Sequence, residues 1–410
     1  MHEKFDVIVV GGGLAGSSTA TVLARAGLDV LVLEREAEFR DRVRGEWLAP
    51  WGIVEAETLG IRGIIDSVAH ANLITRHVGY DETLTPDEAE AGTVDFVALG
   101  IPGGGCLGVG HPQLQEALLT HAADQGATVE RGTSPARVTL GTTPTVTYSL
   151  DGSSHTATCR LVVAADGRES GIRKSLGIEL HSTEPQVIMA GMLVDGIHDW
   201  PSDQQTIGVE DDFNYLVFPQ ADGRARLYGA WDVADKHRYS GDGRARRFLE
   251  SFRLSSFPVP DAIADATPAG PLAGYPMADT WTDEVARDGV VLIGDAAGWS
   301  DPIIGQGMSV AFRDAHLITD AITATDDWSM TAFDTYHDER RERMRRLRYA
   351  SAGSYLLNGF GPDARARRTR LRERFTVDPM SSPVISALLG AWVLPESAYS
   401  DDAWNALAAV

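Results

Sequence analysis

The stretch Phe5-Asp6-Val7-Ile8-Val9-Val10-Gly11-Gly12-Gly13-Leu14-Ala15-Gly16 decides the reading of this chain. Its first half is an apolar, valine-rich run ended by glycine, the pattern of a strand buried on both faces. Leu14 to Ala26 then carries helical spacing closed by Gly27, and Val30 to Leu33 repeats the buried-strand pattern. The result is a βαβ unit. Gly11, Gly13 and Gly16 have the G-x-G-x-x-G spacing at its first junction. Gly11 permits the tight turn, Gly13 lets a pyrophosphate approach the backbone, and Gly16 lets the helix pack closely on the strand. The N–H groups at the helix start, Leu14 and Ala15 among them, face the phosphates. Glu34, with Arg35 beside it, closes the second strand about twenty residues beyond the glycines, where a carboxylate accepts from ribose hydroxyls. This fingerprint specifies a dinucleotide and leaves FAD and NAD as alternatives.

Further along, Gln113 to Asp124 is helical in pattern. Thr128 to Tyr148 alternates as strands, with a turn at Asp151-Gly152, and Leu161 to Ala165 is another apolar strand. Short strand-like runs from Val187 to Val233, punctuated by Asp195-Gly196 and Asp222-Gly223, predict a separate antiparallel sheet, the substrate domain. Val290 to Ile293 and a helical face of Met308, Ala311, Phe312, Ala315, Ile318 and Ile322 return the chain to the nucleotide-binding layer. Tyr80 to Asp95, with Asp81, Glu82, Asp87, Glu88 and Glu90, reads as an exposed acidic loop. The arginine-rich segments His337 to Arg348 and Ala364 to Arg374 read as helices with solvated faces.

Two later motifs sit at strand ends. Leu161-Val162-Val163-Ala164-Ala165-Asp166-Gly167-Arg168 is a strand followed by a turn. Val290-Val291-Leu292-Ile293-Gly294-Asp295-Ala296-Ala297-Gly298 is a strand followed by a small-residue turn with an acid. It continues through Asp301-Pro302-Ile303-Ile304-Gly305-Gln306-Gly307-Met308 into a helix. Asp295 can hold the hydroxyls of a ribityl chain, and the helix start at Gly307 and Met308 can face an electron-rich ring edge.

With these three motifs in this order, residues 5 to 350 resemble the group A flavoprotein monooxygenases, the para-hydroxybenzoate hydroxylase family. The resemblance implies an α/β fold, with a Rossmann-type FAD-binding domain interleaved with an antiparallel-sheet substrate domain. The FAD-binding domain would comprise residues 1–75, 100–180 and 275–350. The substrate-binding sheet would comprise 76–99 and 181–274, and a C-terminal helical segment 351–410. That last segment is too short for the thioredoxin-like extension of some relatives and is assigned no chemistry.

The resemblance also assigns FAD contacts: Glu34 to the adenosine ribose, Arg44 to the phosphate and ribose region, and Asp295 to the ribityl chain. Gly307 and Met308 supply backbone donors near the flavin pyrimidine, with Pro302 and Gly305 leading to them. Asp166, with Gly167, is linked to both FAD and nicotinamide use, and Val138 is counted among the contacts. His111 departs from the pattern, standing where the family carries arginine or glutamine; a helix-capping or exposed histidine is the alternative. In this family NADH or NADPH reduces the FAD, O2 adds at the flavin C4a carbon, and the hydroperoxide hydroxylates or epoxidises the substrate.

No side chain is assigned as a catalytic acid or base, since the cofactor carries the chemistry. The substrate pocket is expected at Trp47, Met192, Tyr215, Phe218, Trp231 and Pro302, whose aromatic content suits an aromatic or polycyclic natural-product-type molecule. A reductase resembling the geranylgeranyl reductases, an oxidase, and a non-catalytic flavin-binding protein share the cofactor site and stay as alternatives. A flavin-dependent halogenase is disfavoured, because no Trp-x-Trp-x-Ile-Pro segment occurs.

Composition narrows the partners. A net charge of -22 repels nucleic-acid phosphates and acidic membranes. The apolar run at Phe5 to Val10 meets glycines before it could span a bilayer. The two cysteines, Cys106 and Cys159, are too few for a disulfide framework and lack metal-ligand spacing, so a reducing cytoplasm and no metal are expected.

Overall fold

The computed structural model describes residues 3–141 and 143–410. At its centre is a six-stranded sheet in the order Ala286–Arg287, Val290–Leu292, Leu161–Ala164, Val7–Val10, Val30–Glu34, Thr128–Arg131. All pairings are parallel except the first. Strands buried on both faces must be apolar throughout, which is why Val7–Val10 and Leu161–Ala164 show no alternation. The helices Leu14–Arg25, His111–Asp124 and Gly307–Ala324 pack together as one layer. Small residues on the first of them, Ala15, Gly16, Ser17 and Ala20, are buried and allow close approach. Gly27, at φ +88°, ends it in the left-handed region.

A small sheet of Glu3–Lys4, Ser153–Thr158, Thr145–Leu150 and Arg137–Thr139 flanks this layer. Its hairpin turns at Asp151 (φ +50°) and Gly152 (φ +78°), the sign that a two-residue turn needs to match strand twist.

The second large sheet has eight strands. Val187–Asp195, Arg224–Asp232, Phe213–Gln220 and Gln204–Glu210 run antiparallel side by side, and Arg76–Val78 joins the last in parallel. Its outer face buries a core containing Met192, Tyr215, Val217, Trp231, Phe248 and Phe252. Its inner face, with Met189, Leu216, Phe218 and Tyr228, turns toward the central sheet.

Two expectations are corrected by the packing. Tyr80 to Asp95 is not an exposed loop: Pro86–Ala91 forms a capped helix, Val94–Asp95 pairs with Arg76–Val78, and Tyr80 and Asp81 are buried. Asp81 and Glu82 are drawn inward by Arg372 and Arg368. The helices Asp334–Asn358 and Ala364–Val377 are not merely solvated either. Arg340, Arg343, Arg346 and Arg368 are buried, because Asp314, Glu339, Glu342, Glu82 and backbone carbonyls pair with their guanidinium groups, with Arg343 Nη1 left unpartnered among the described residues. Among the described residues, no helix is long and apolar enough to cross a membrane, and no three His, Cys, Asp or Glu side chains gather as a metal cluster.

Candidate active site

A cavity of about 400 Å³ lies between the central sheet and the inner face of the eight-stranded sheet. Gly13 to Ala15, Gly294, Asp295 and Pro302 to Met308 form one side. Met189, Leu216, Phe218 and Tyr228 form the other, and Leu357, Arg368, Arg372 and Leu388 close the far end.

At the amino-terminal turn the glycines answer to specific clashes. Gly11 has φ +106°, and a Cβ there would overlap the Ala165 carbonyl; a Cβ on Gly16 would overlap the Gly11 carbonyl. Gly13 is different: the nearest atom to its notional Cβ is Gln115 Nε2 at 3.9 Å, so the backbone is open to the cavity. No side chain caps the helix beginning at Leu14, and its first N–H groups are available to an anion. Glu34 is buried, its Oε2 accepting from Gly12 N at 2.7 Å and its Oε1 from Glu36 N at 2.7 Å, so it shapes the turn.

Arg44 and Arg168 line the same region and converge on Asp295, at 3.9 and 3.2 Å from its Oδ2. Burial lowers the Arg44 pKa, and Asp295 opposes that shift. The Arg168 guanidinium lies 5.1 Å from the Trp299 ring centroid and 5.7 Å from that of Tyr275. Two buried arginines hold the loops in place. Arg173 donates to the carbonyls of Ala296 at 2.9 Å and Arg168 at 3.2 Å. Arg340 donates to those of Gly294, Ala297 and Gly298 at 3.0, 2.8 and 2.8 Å while paired with Asp314. Asp166 does not reach the cavity; its carboxylate accepts from Ser170 Oγ and Ile172 N, which starts the following helix, while Gly167 and Arg168 face inward.

At the other end, Gly305 (φ +66°) faces the Trp47 ring, which lies 2.8 Å from its notional Cβ. Gln306 is buried, accepting from Trp51 Nε1 at 2.8 Å and donating to the Ala387 carbonyl at 3.0 Å. Its contacts set the start of the helix Gly307–Ala324, which has no side-chain cap and whose Gly307 backbone is open. Behind Pro302, Asp301 N donates to Asp279 Oδ1 at 2.7 Å, and the Tyr355 hydroxyl donates to Asp301 Oδ2 at 2.6 Å. Burial raises both carboxyls, Asp279 to about 7.

His111 begins its helix and lines the cavity, so it is neither a side-chain cap nor a free surface group. Burial lowers its pKa to about 4, and the neutral ring's Nδ1 lies 3.1 Å from the Gly45 carbonyl. Nδ1–H therefore donates and Nε2 is left as an acceptor. The backbone N–H of His111 donates to Glu46, which is buried against Arg226 and Gln220 and ties the Arg44 segment to the eight-stranded sheet.

Trp47, Phe218 and Pro302 line the cavity, and the Trp47 and Phe218 rings are 5.8 Å apart. Met192, Tyr215 and Trp231 do not. Each lies an odd number of residues from an inward-facing neighbour on its own strand, Met189, Leu216 and Tyr228, so strand alternation sends it into the outer core. Arg35 is exposed beside Glu36, and Val138 packs against the central core on a flanking strand; neither borders the cavity.

Sequence reasoning missed Arg168, His77, Gln205, Tyr228 and Tyr275, and it assigned no chemistry to residues 351–410, yet Ser354, Leu357, Asn358, Arg368 and Arg372 line the cavity. Arg168 was legible in its motif. The others depend on strand pairing and helix packing.

The arrangement suits FAD: two uncapped helix starts open into one cavity, glycine backbone stands bare where phosphate and ring would lie, and two arginines flank the first. Comparison with known proteins agrees. A family model described as FAD binding domain matches residues 4–351. Digeranylgeranylglycerophospholipid reductase 2 of Methanopyrus kandleri is 28% identical over 87% of this chain and 87% of its own. Rifampicin monooxygenase of Rhodococcus hoagii is 27% identical over 82% of this chain and 68% of its own. Among solved structures, a variant of HpxO from Klebsiella pneumoniae complexed with FAD superposes with a TM-score of 0.76 at 23% identity, covering 94% of this chain and 99% of that one. The fold is para-hydroxybenzoate hydroxylase-like.

Proposed function

Because the chain belongs to the FAD binding domain family, we propose that it is an FAD-dependent monooxygenase that takes electrons from NADH or NADPH and uses O2 to hydroxylate or epoxidise a planar organic molecule. One observation carries this reading: the uncapped helix starts at Leu14 and Gly307 open into a cavity whose opposite wall bears Trp47, Phe218 and Tyr228.

When bound there, FAD would supply electron storage and oxygen activation. Leu14 and Ala15 N–H groups, with Gly13 and Arg44, would hold the pyrophosphate, and Asp295 the ribityl hydroxyls. The N–H groups of Gly307 and Met308 would face the pyrimidine side, where a positive helix end stabilises added negative charge. Trp47 and Phe218 would hold the substrate flat and keep water out. His111, neutral through burial, adds no charge beside Arg44.

A reductase is the second reading, favoured by the archaeal relative and served by the same cofactor geometry. The two differ in product. NAD(P)H consumption and O2 uptake would be followed over a panel of aromatic and isoprenoid compounds, with mass analysis. A gain of one oxygen supports the monooxygenase, a gain of two hydrogens the reductase, and bound FAD without turnover a binding protein.

A further inference from the structure

The end of the cavity opposite the glycine turn holds polar groups that cofactor binding leaves unused. His77 and Gln205 stand on adjacent parallel strands in direct register, and both line the cavity. Residues at one register position of paired strands point to the same face. Gln205 Oε1 accepts from Trp47 Nε1 at 2.6 Å, which orients the amide so that its nitrogen is the side with hydrogens to give. No hydrogen bond joins that nitrogen to another described residue.

Burial lowers the His77 pKa to about 4, so the ring is neutral and carries one N–H. Its Nδ1 is buried without a partner among the described residues. Nε2 lies toward Gly79, another cavity-lining residue, 3.9 Å from where a Cβ would stand. A buried orphan N–H is rarer than an under-used acceptor, so the proton belongs on Nε2, on the open side. The nearby charges are already matched: Arg368 pairs with Glu82 at 2.8 Å, and Arg372 with Asp81.

From this geometry we infer that His77 Nε2–H and Gln205 Nε2–H form a two-donor clamp for one neutral oxygen acceptor of the substrate, a ring ketone or quinone carbonyl, and so fix which edge of the molecule faces the flavin site. Two donors beside ion-paired arginines select a carbonyl over a carboxylate, which would bring an unmatched charge. They also reject the bare hydrocarbon, because it would leave both donors unpaired. The inference rests on the proposed function only in taking this cavity as the substrate site.

The test uses purified FAD-loaded enzyme and matched probes: 9-fluorenone, fluorene and fluorene-9-carboxylate, and 1-tetralone, tetralin and a tetralin carboxylate. Binding is read from perturbation of the flavin spectrum. At least one ketone should bind roughly tenfold more tightly than its hydrocarbon and its carboxylate. Gln205→Glu keeps the acceptor for Trp47 but replaces the donor with a carboxylate, and His77→Phe removes the other donor. Each should erase the ketone advantage with hydrocarbon affinity and FAD content unchanged, and His77→Gln should restore part of it. The clamp is overturned if neither ketone binds, if ketone and hydrocarbon bind alike, if a carboxylate binds best, or if the advantage survives either substitution. A ketone preference in loaded enzyme that never takes up O2 would sink the monooxygenase and leave the clamp standing.

Discussion

The Arg173 guanidinium donates to the Ala296 carbonyl oxygen at 2.9 Å, a bond that spans 123 residues and joins the Asp166-Gly167 turn to the Gly294-Asp295 turn. A second bond from the same side chain, to the Arg168 carbonyl at 3.2 Å, makes one buried residue the staple between two cofactor-facing loops. Replacing it with Met keeps the unbranched stem but removes the guanidinium and strands two carbonyls, at a cost of roughly 2–4 kcal/mol. Arg173→Met is therefore expected to lower both thermal stability and FAD retention, measured by calorimetry and by flavin absorbance of the purified protein. Unchanged flavin content would mean that the two loops hold their shape independently.

The glycines of the amino-terminal turn should separate by role. A methyl group at Gly16 collides with the Gly11 carbonyl, so Gly16→Ala should destabilise the fold itself. At Gly13 the methyl meets nothing closer than 3.9 Å within the protein, and the residue lines the cavity proposed to take the pyrophosphate. Gly13→Ala should fold with the parent melting temperature when stripped of cofactor and still bind FAD at least about tenfold more weakly. Equal losses of apo stability in the two variants would contradict this division.

The contrast explains what could be read from residue order alone. The dinucleotide turn and its strands are legible because the three glycines and the acid that follows them fall within one short βαβ unit, even though the atom that forbids a side chain at Gly11 belongs to distant Ala165, and fully buried strands announce themselves by unbroken apolar runs. The substrate wall is not. Whether Met189 or Met192, Leu216 or Tyr215, Tyr228 or Trp231 faces inward is decided by which strands pair, and a shift of one residue reverses every answer. The arginine-rich helices misled for a similar reason. Arg340 and Arg343 are buried because Asp314, on a different helix, points between them, and spacing along one helix cannot reveal that partner.

Asp279 supplies a prediction with a definite sign. Burial raises its carboxyl from 3.8 to about 7, and Asp301 beside it is raised as well. Below pH 4 both folded and unfolded chains hold the Asp279 proton. Between pH 4 and 7 the unfolded chain releases it and the folded chain keeps it, so stability is lost as pH rises. The full loss, reached above pH 7, is up to roughly 4 kcal/mol by the size of the shift. Asp279→Asn, whose amide oxygen can still accept from Asp301 N, should therefore gain stability relative to the parent as pH is raised from 4 to 8. Parallel melting-temperature curves for the two proteins over that range would show that the site ionises freely in the fold.

Arg368 connects the carboxy-terminal helices to the substrate sheet and gives the last expectation. Its Nε donates to the Leu357 carbonyl at 2.9 Å and its Nη1 pairs with Glu82 at 2.8 Å, while the side chain is 3% exposed. The residue thus anchors the end of the helix Asp334–Asn358, whose Leu357 and Asn358 line the cavity. Removing the guanidinium leaves Glu82 without its partner and frees that helix end, admitting water to a site that the proposed chemistry requires to be dry. Arg368→Met should keep the parent FAD content, because among the described residues the guanidinium bonds to Glu82, Leu357 and Gly359 rather than to the glycine turn or the Gly294 loop. It should also consume NAD(P)H at a comparable rate while diverting several-fold more of the electrons to hydrogen peroxide, read by peroxide yield per NAD(P)H oxidised. Coupling that stays at the parent value would mean that these helices do not seal the cavity.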